Sequence, residues 1–211
     1  MAPNRRLTRQ ESRVITREAL IDAAEKVFLR EGFEHASVEQ ITEEAGFSRG
    51  AFYSNFSDKD ELALAVIDKR RREVARALRT LQRISDPVKG RAAIQDWFSK
   101  QCRQTDWISL RLEFGRRAQR NPALERQLAE LCRQEIQTCA GRVAQSLSSN
   151  GSVPEVSAVA LIAACHGLGS IGLHAAPDLD RLCDAAATLI FERLLAAPAT
   201  DLTLAHEGAK V

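Results

Sequence analysis

The chain has 211 residues and 45% of them are hydrophobic, enough to bury a core, which excludes a disordered protein. Eleven glycines, six prolines, eight Phe, two Trp and one Tyr argue against a collagen, a low-complexity linker or a turn-rich β-barrel, and favour a helix-rich globule. Thirty Lys and Arg against 28 Asp and Glu leave a net charge of +2, so no overall positive field marks a nucleic-acid partner and that case must rest on local placement.

The first 17 residues carry five arginines against the single acid Glu11, and residues 1–13 are expected to form a flexible basic arm. They contain no apolar run of the kind a secretory leader needs, so a cytoplasmic location is expected. From Thr16 the apolar residues Ala19, Ala23 and Val27, with Leu20, Ala24 and Phe28 beside them, fall on helical spacing as far as Gly32, where a left-handed cap is expected. Ser37-Val38-Glu39-Gln40 reads as a capping box opening a second helix to Ala45. Gly46-Phe47 makes a turn, and Ser48 caps a short third helix from Arg49 to Asn55. Ser57-Asp58-Lys59-Asp60 reads as a further capping box, starting a long helix that connects onward to about Ile84.

Asp86-Pro87 opens a fifth helix over 87–103. A sixth is expected from Trp107 to Arg117, and a seventh from Asn121-Pro122 through Leu124, Leu128, Leu131, Ile136 and Val143 to about Ser148. After a loop at 148–152, two last helices are placed at 154–175 and 178–196, with residues 199–211 as a disordered tail. No window alternates like a strand, so the fold class is all-α with about nine helices. The domain reading is a helix-turn-helix domain at 14–62 and a larger helical domain at 63–198.

In the third helix, Arg49, Gly50, Tyr53 and Ser54 share one side at about 100° per residue, while Ala51, Phe52, Asn55 and Phe56 lie on the other. One face can pack and the other can read a DNA major groove. Arg49 can donate a bidentate pair to guanine, Gly50 lets the backbone approach, and Tyr53, Ser54 and Asn55 offer hydrogen bonds. Ser37 and Lys59, each at a helix start, suit phosphates. On the residues alone this reading stands level with a short amphipathic hairpin of some other role.

The ordered set Ala19-Leu20-Ile21-Asp22-Ala23-Ala24-Glu25-Lys26-Val27-Phe28, Gly32-Phe33, Ser37-Val38-Glu39-Gln40-Ile41, Ala45 to Phe56 and Lys59-Asp60-Glu61-Leu62 resembles the tetracycline-repressor (TetR) family over residues 14–62. The resemblance implies a bacterial, homodimeric transcription regulator, usually a repressor released from its operator by a small ligand. By position it implies DNA contacts at Ser37, Val38, Ser48, Arg49, Gly50, Tyr53, Ser54, Asn55 and Lys59. Many members carry His-His or Tyr-His where this chain has Ser54-Asn55, so the base preference is not implied.

Beyond residue 70 the resemblance extends to architecture only. The two last helices, rich in Ala, Gly and Leu, are the expected dimer-forming pair, with Leu161, Cys165, Leu168 and Gly172 on the first and Leu182, Ala186, Leu189 and Arg193 on the second; an intrachain core is the alternative. The expected ligand site gathers Trp97, Phe98, Trp107 and Phe114, with Gln101, Cys102, Arg111 and Glu113 as polar anchors, again against the alternative that they fill the core.

Other features are read as decoys. Residues 156–177 carry no charged side chain, but their Ala, Gly, Ser and His content suits a buried helix rather than a membrane span. Gly167-Leu168-Gly169-Ser170-Ile171-Gly172 fits a dinucleotide fingerprint without the strands that motif requires. The five scattered cysteines suit buried thiols, and neither they nor His166 and His174 are spaced to hold a metal. Lys69-Arg70-Arg71-Arg72 reads as a solvated face. The expected partners are therefore double-stranded operator DNA, an unidentified small effector and a second copy of the chain, with no membrane, cofactor or metal. The competing readings are a dimeric interaction protein without DNA binding, a thiol-responsive regulator, and a small helical enzyme for which no acid–base pair is visible.

Overall fold

The computed structural model describes residues 8–146 together with 181, 184, 185, 188 and 189. Among them lie seven helices: α1 Arg9–Glu31, α2 Val38–Ala45, α3 Arg49–Tyr53, α4 Lys59–Leu81, α5 Pro87–Cys102, α6 Thr105–Ala118 and α7 Pro122–Ser146. Residues 181, 184, 185, 188 and 189 are also helical, and the described residues contain no strand.

Local chemistry sets the helix boundaries. Residues 9–13, expected within a flexible arm, belong to α1, because Thr8 accepts from the Glu11 amide while the Glu11 carboxylate accepts from the Thr8 amide, nucleating the helix at Arg9. The Ser37 box forms as expected, with Gln40 reaching back to the Ser37 amide at 2.8 Å. At α4 the box is displaced by one residue from the expected Ser57–Asp60. The Asp58 carboxylate accepts from the Glu61 amide at 2.8 Å, and Glu61 in turn accepts from the Ser57 amide and hydroxyl. Asp86 caps α5 through the amides of Val88 and Lys89. Gly32 has the expected positive φ of 80°, but its ψ of 159° is extended rather than left-handed, a region open in practice only to glycine.

The chain divides into two compact units, Met1–Arg71 with Ser109–Leu131, and Arg72–Ile108 with Cys132–Val211. The domain boundary expected at residue 62 is thus replaced by a discontinuous arrangement. Its physical reason lies in the core of the first unit, where Leu20, Ala24, Val27 and Phe28 of α1, Phe33, Ile41 of α2, Phe52 of α3 and Phe56 are all buried. Three helices of this length cannot cover so much aromatic surface by themselves. Leu62 and Val66 of α4 and Phe114 and Ala118 of α6 complete the enclosure. The Phe33 ring lies 5.4 Å from that of Phe28 and 5.1 Å from that of Phe114, the latter edge-on. Lys69, expected on a solvated face, instead ties α4 to α1 through Asp22 and Glu25, the latter at 2.7 Å.

Within the second unit Leu78 and Cys139 are buried together, with Val74, Leu81 and Trp97 packed against them. Ser99 donates to Asp184, which also pairs with Arg103 at 3.0 Å, and Gln95 donates to Thr188 at 2.6 Å. Of the residues expected at a dimer face, Leu161, Cys165, Leu168, Gly172, Leu182, Ala186 and Arg193 lie outside the described residues, as do the glycine-rich run at 167–172 and the uncharged stretch at 156–177. Leu189 is described and is 65% exposed. No helix among the described residues is long and apolar enough to cross a membrane.

Truncating Phe33 to Ala should lower the unfolding free energy by about 3–5 kcal/mol, measured by urea denaturation, because the removed ring leaves a cavity lined by Phe28 and Phe114.

Candidate nucleic-acid interface

The α2–turn–α3 hairpin is built from caps outward. Gly46 closes α2 in the left-handed conformation, φ 71° and ψ 27°, with nothing within 4 Å of where its Cβ would stand. Ser48 then caps α3 by accepting from the Ala51 amide at 3.2 Å. α3 has five residues, too few to be stable alone, and Phe52 anchors it by complete burial.

With Phe52 inward, Ser48, Arg49, Gly50, Tyr53 and Ser54 face solvent, and Ser37 and Val38 at the start of α2 are half-buried. The Arg49 guanidinium lies 2.7 Å from Glu39 and 6.0 Å from the centroid of the Tyr53 ring. Hydrogen bonding to Tyr53, reinforced by the charge of Glu39, raises the Arg49 pKa above its ordinary value.

Two expected contact residues are placed differently. Asn55 is buried, and its side-chain amide donates to the Ala51 carbonyl at 2.8 Å, so it braces the helix rather than facing outward. Its Oδ1 is buried without a partner among the described residues. This is the consequence of sharing a side with Phe52 and Phe56. Lys59 points beneath the α1–α2 turn, donating to the carbonyls of Phe33 at 2.7 Å, Glu34 at 3.3 Å and Ala36 at 2.8 Å, with its ammonium 4.5 Å from the Phe33 ring. Burial pushes its pKa down, opposed by Glu34. In this structure its charge is engaged by the turn.

Three groups take parts that the sequence reading did not give them. Arg13 and Arg17, counted there only among the arginines of a basic N-terminal segment suited to phosphates, donate to the carbonyls of Ser54 at 3.2 Å and Asn55 at 2.6 Å, capping the end of α3, and Arg17 stacks 4.0 Å over Phe56. The i, i+4, i+8 spacing of Arg9, Arg13 and Arg17 is the signal that marks this face. Together with Gln10, Ser54 and Asn55 these arginines line a groove of about 890 Å³ between α1 and α3. Glu39 beside Arg49 is the third group.

The eight residues expected around a ligand are not gathered in one unit. Trp97, Phe98, Gln101, Cys102 and Trp107 belong to the second unit, where Phe98 and Cys102 are buried, whereas Arg111, Glu113 and Phe114 belong to the first. The expectation for Glu113 and Phe114 is corrected. The Glu113 carboxylate accepts from the amides of Phe33 at 3.0 Å and Glu34 at 2.9 Å, and the Phe114 ring packs on Phe33. Among the described residues no group of His, Cys, Asp and Glu is arranged to hold a metal ion.

Comparison with known proteins agrees with this geometry. The family described as "Bacterial regulatory proteins, tetR family" matches residues 20–66, and the "BetI-type transcriptional repressor, C-terminal" family matches residues 88–199, more than half of the chain. The chain belongs to the TetR family. A curated relative, the HTH-type transcriptional repressor AcnR of Corynebacterium efficiens, is 29% identical over 109 residues, covering 52% of this chain and 54% of the relative. The chain thus spans about half the length of the curated relatives it matches first. Among solved structures, the regulator FadR of Bacillus subtilis in complex with stearoyl-CoA aligns with a TM-score of 0.64 at 17% identity, covering 85% of this chain and 97% of FadR, which shows the shared TetR fold. The SmeT–triclosan complex, whose protein is the multidrug efflux-pump repressor of Stenotrophomonas maltophilia, aligns at 0.58 with 25% identity, covering 86% of this chain and 90% of SmeT.

Because Lys59 supports the turn, Lys59→Met should cost about 2 kcal/mol of stability in thermal unfolding. The salt dependence of any DNA binding should keep its slope, which a lost phosphate contact would reduce by about one unit.

Proposed function

We propose that this TetR-family chain is a sequence-specific transcriptional repressor, acting in the cytoplasm without enzymatic activity, that binds a pseudo-palindromic operator as a homodimer. The observation that carries the reading is the outer face of α3. Arg49, Gly50, Tyr53 and Ser54 are exposed together while Phe52 is fully buried, which leaves one side of a rigid short helix available to base edges. Two such helices must enter successive major grooves about 34 Å apart, so the separation within a dimer controls affinity. The exposed Leu189, on one of the helices expected to form the dimer face, is compatible with a partner covering it.

Release belongs to the second unit, where Trp97, Phe98, Cys102 and Trp107 supply apolar and aromatic surface for a small, largely apolar effector. On the same fold FadR is solved with stearoyl-CoA, whose acyl chain is apolar although its CoA moiety is highly charged, and SmeT with the small apolar compound triclosan. Coupling runs through α6, which starts at Thr105 in the second unit and carries Glu113 into the first. There Glu113 holds the amides of the α1–α2 turn, so an effector that shifts α6 would move the base of the DNA-reading hairpin.

The test is selection of random duplexes by the purified protein. A two-fold-related site is expected, and a folded dimer that enriches no sequence would overturn the reading. On the selected duplex, Arg49→Ala should weaken binding about tenfold or more while leaving the melting temperature nearly unchanged, since Arg49 is exposed. Glu113→Ala should lower both stability and the response to an effector, read as residual operator occupancy at saturating effector.

A further inference from the structure

Glu39 is an exposed carboxylate on the side of the hairpin that the proposed function turns toward a polyanion, and on charge alone it should weaken DNA binding. Its surroundings give it a role. The capping box of Ser37 and Gln40 fixes the first turn of α2, and Thr42 Oγ1 donates back to the Glu39 carbonyl at 3.0 Å, so the side chain springs from a rigid base. Arg49 opens α3 just after the Ser48 cap and is equally anchored at its backbone. The two side chains meet at 2.7 Å while remaining 57% and 60% exposed. An ion pair so exposed adds almost nothing to folding stability. Its consequence is geometric: the Nη1 of the guanidinium is occupied by Glu39, and the Tyr53 ring stands nearby, its centroid 6.0 Å from the guanidinium carbon.

We propose that Glu39 is a specificity-determining positioning residue, which holds Arg49 away from DNA phosphates and presents the remaining guanidinium edge to a base. An arginine free to swing would satisfy itself on the nearest phosphate of any sequence. Paired with Glu39, it gains from leaving the pair only where a base edge offers a bidentate acceptor, as guanine does through O6 and N7. Glu39 itself is placed by repulsion to disfavour non-specific complexes. Discrimination is then achieved by penalising the wrong partner as well as rewarding the right one.

This inference rests on the DNA-binding reading, and the experiment separates the two. Affinities of wild type, Glu39→Gln and Glu39→Ala are measured for the duplex that wild type selects, for a random duplex, and for variants of the selected site substituted at each base pair, at several salt concentrations. Glu39→Gln removes the charge and keeps an acceptor for Arg49, whereas Glu39→Ala removes both. Both should bind random DNA about fivefold more tightly, the upper range for an exposed ion pair, with the salt slope steeper by about one unit. Glu39→Ala should in addition flatten the preference at the base pair whose substitution matters least in an Arg49→Ala background. Melting temperatures should stay within about two degrees of wild type, since a merely structural role would move those and leave the ratio of specific to random binding alone. An unchanged ratio in both variants overturns the inference while leaving the DNA-binding reading intact. Failure of wild type to select any duplex overturns both.

Discussion

Phe33 is the point on which the first compact unit closes. It follows a glycine whose φ of 80° no other residue adopts at low cost, and it sends its ring between Phe28 and Phe114 while its backbone is held from two sides. Glu113 takes the amides of Phe33 and Glu34, and Lys59 takes the carbonyls of Phe33, Glu34 and Ala36. A turn of this kind would otherwise leave several backbone groups to water or unpaired against the core. The opposite charges of the two side chains match the two kinds of backbone group, donors facing the carboxylate and acceptors facing the ammonium. Gly32 completes the arrangement, because a Cβ there would stand 3.3 Å from the Glu113 carboxylate.

From that turn the rest of the hairpin follows. α2 starts six residues after Gly32 and carries Ile41 into the same core, and α3 hangs from Phe52 and Phe56. Since α3 has only five residues, its direction is imposed by what surrounds it: the Ser48 cap at one end, and Arg13 and Arg17 on the carbonyls at the other. The arginines of α1 therefore do two different things. Arg13 and Arg17 reach the end of α3, while Arg9, further along the same face, lines the groove beside it. The outer face of α3 is therefore held in a fixed geometry at both ends of the helix.

Much of this was legible along the chain because it depends on neighbours in sequence. The Ser37 and Asp86 caps, the Gly46 turn and the split of α3 into an inward and an outward face all come from interactions spanning four residues or fewer. Even the missed start of α1 was present in sequence as Thr8-x-x-Glu11, a capping box hidden by the basic composition around it. The face arithmetic already put Asn55 on the side of Phe52, and its burial follows from that placement rather than from its capacity for hydrogen bonds. Membership of the TetR family was likewise visible, in an ordered run of residues whose gaps match over residues 14–62.

The residues whose roles changed are those with partners far along the chain. Glu113 and Phe114 meet Phe33 across some 80 residues, and Lys59 reaches back 26 to the same turn. From composition alone an acid and a phenylalanine in a central helix suit a ligand cavity, and a lysine at a helix start suits a phosphate. Local sequence thus determined the helices, their caps and the outward face of α3, because those depend on hydrogen bonds and periodicities that close within a turn or two. Only the tertiary structure decided that the unit holding the helix-turn-helix includes Ser109–Leu131 and that Glu113 and Lys59 belong to its turn, because a short hairpin rich in phenylalanine must find the remainder of its core wherever the chain returns.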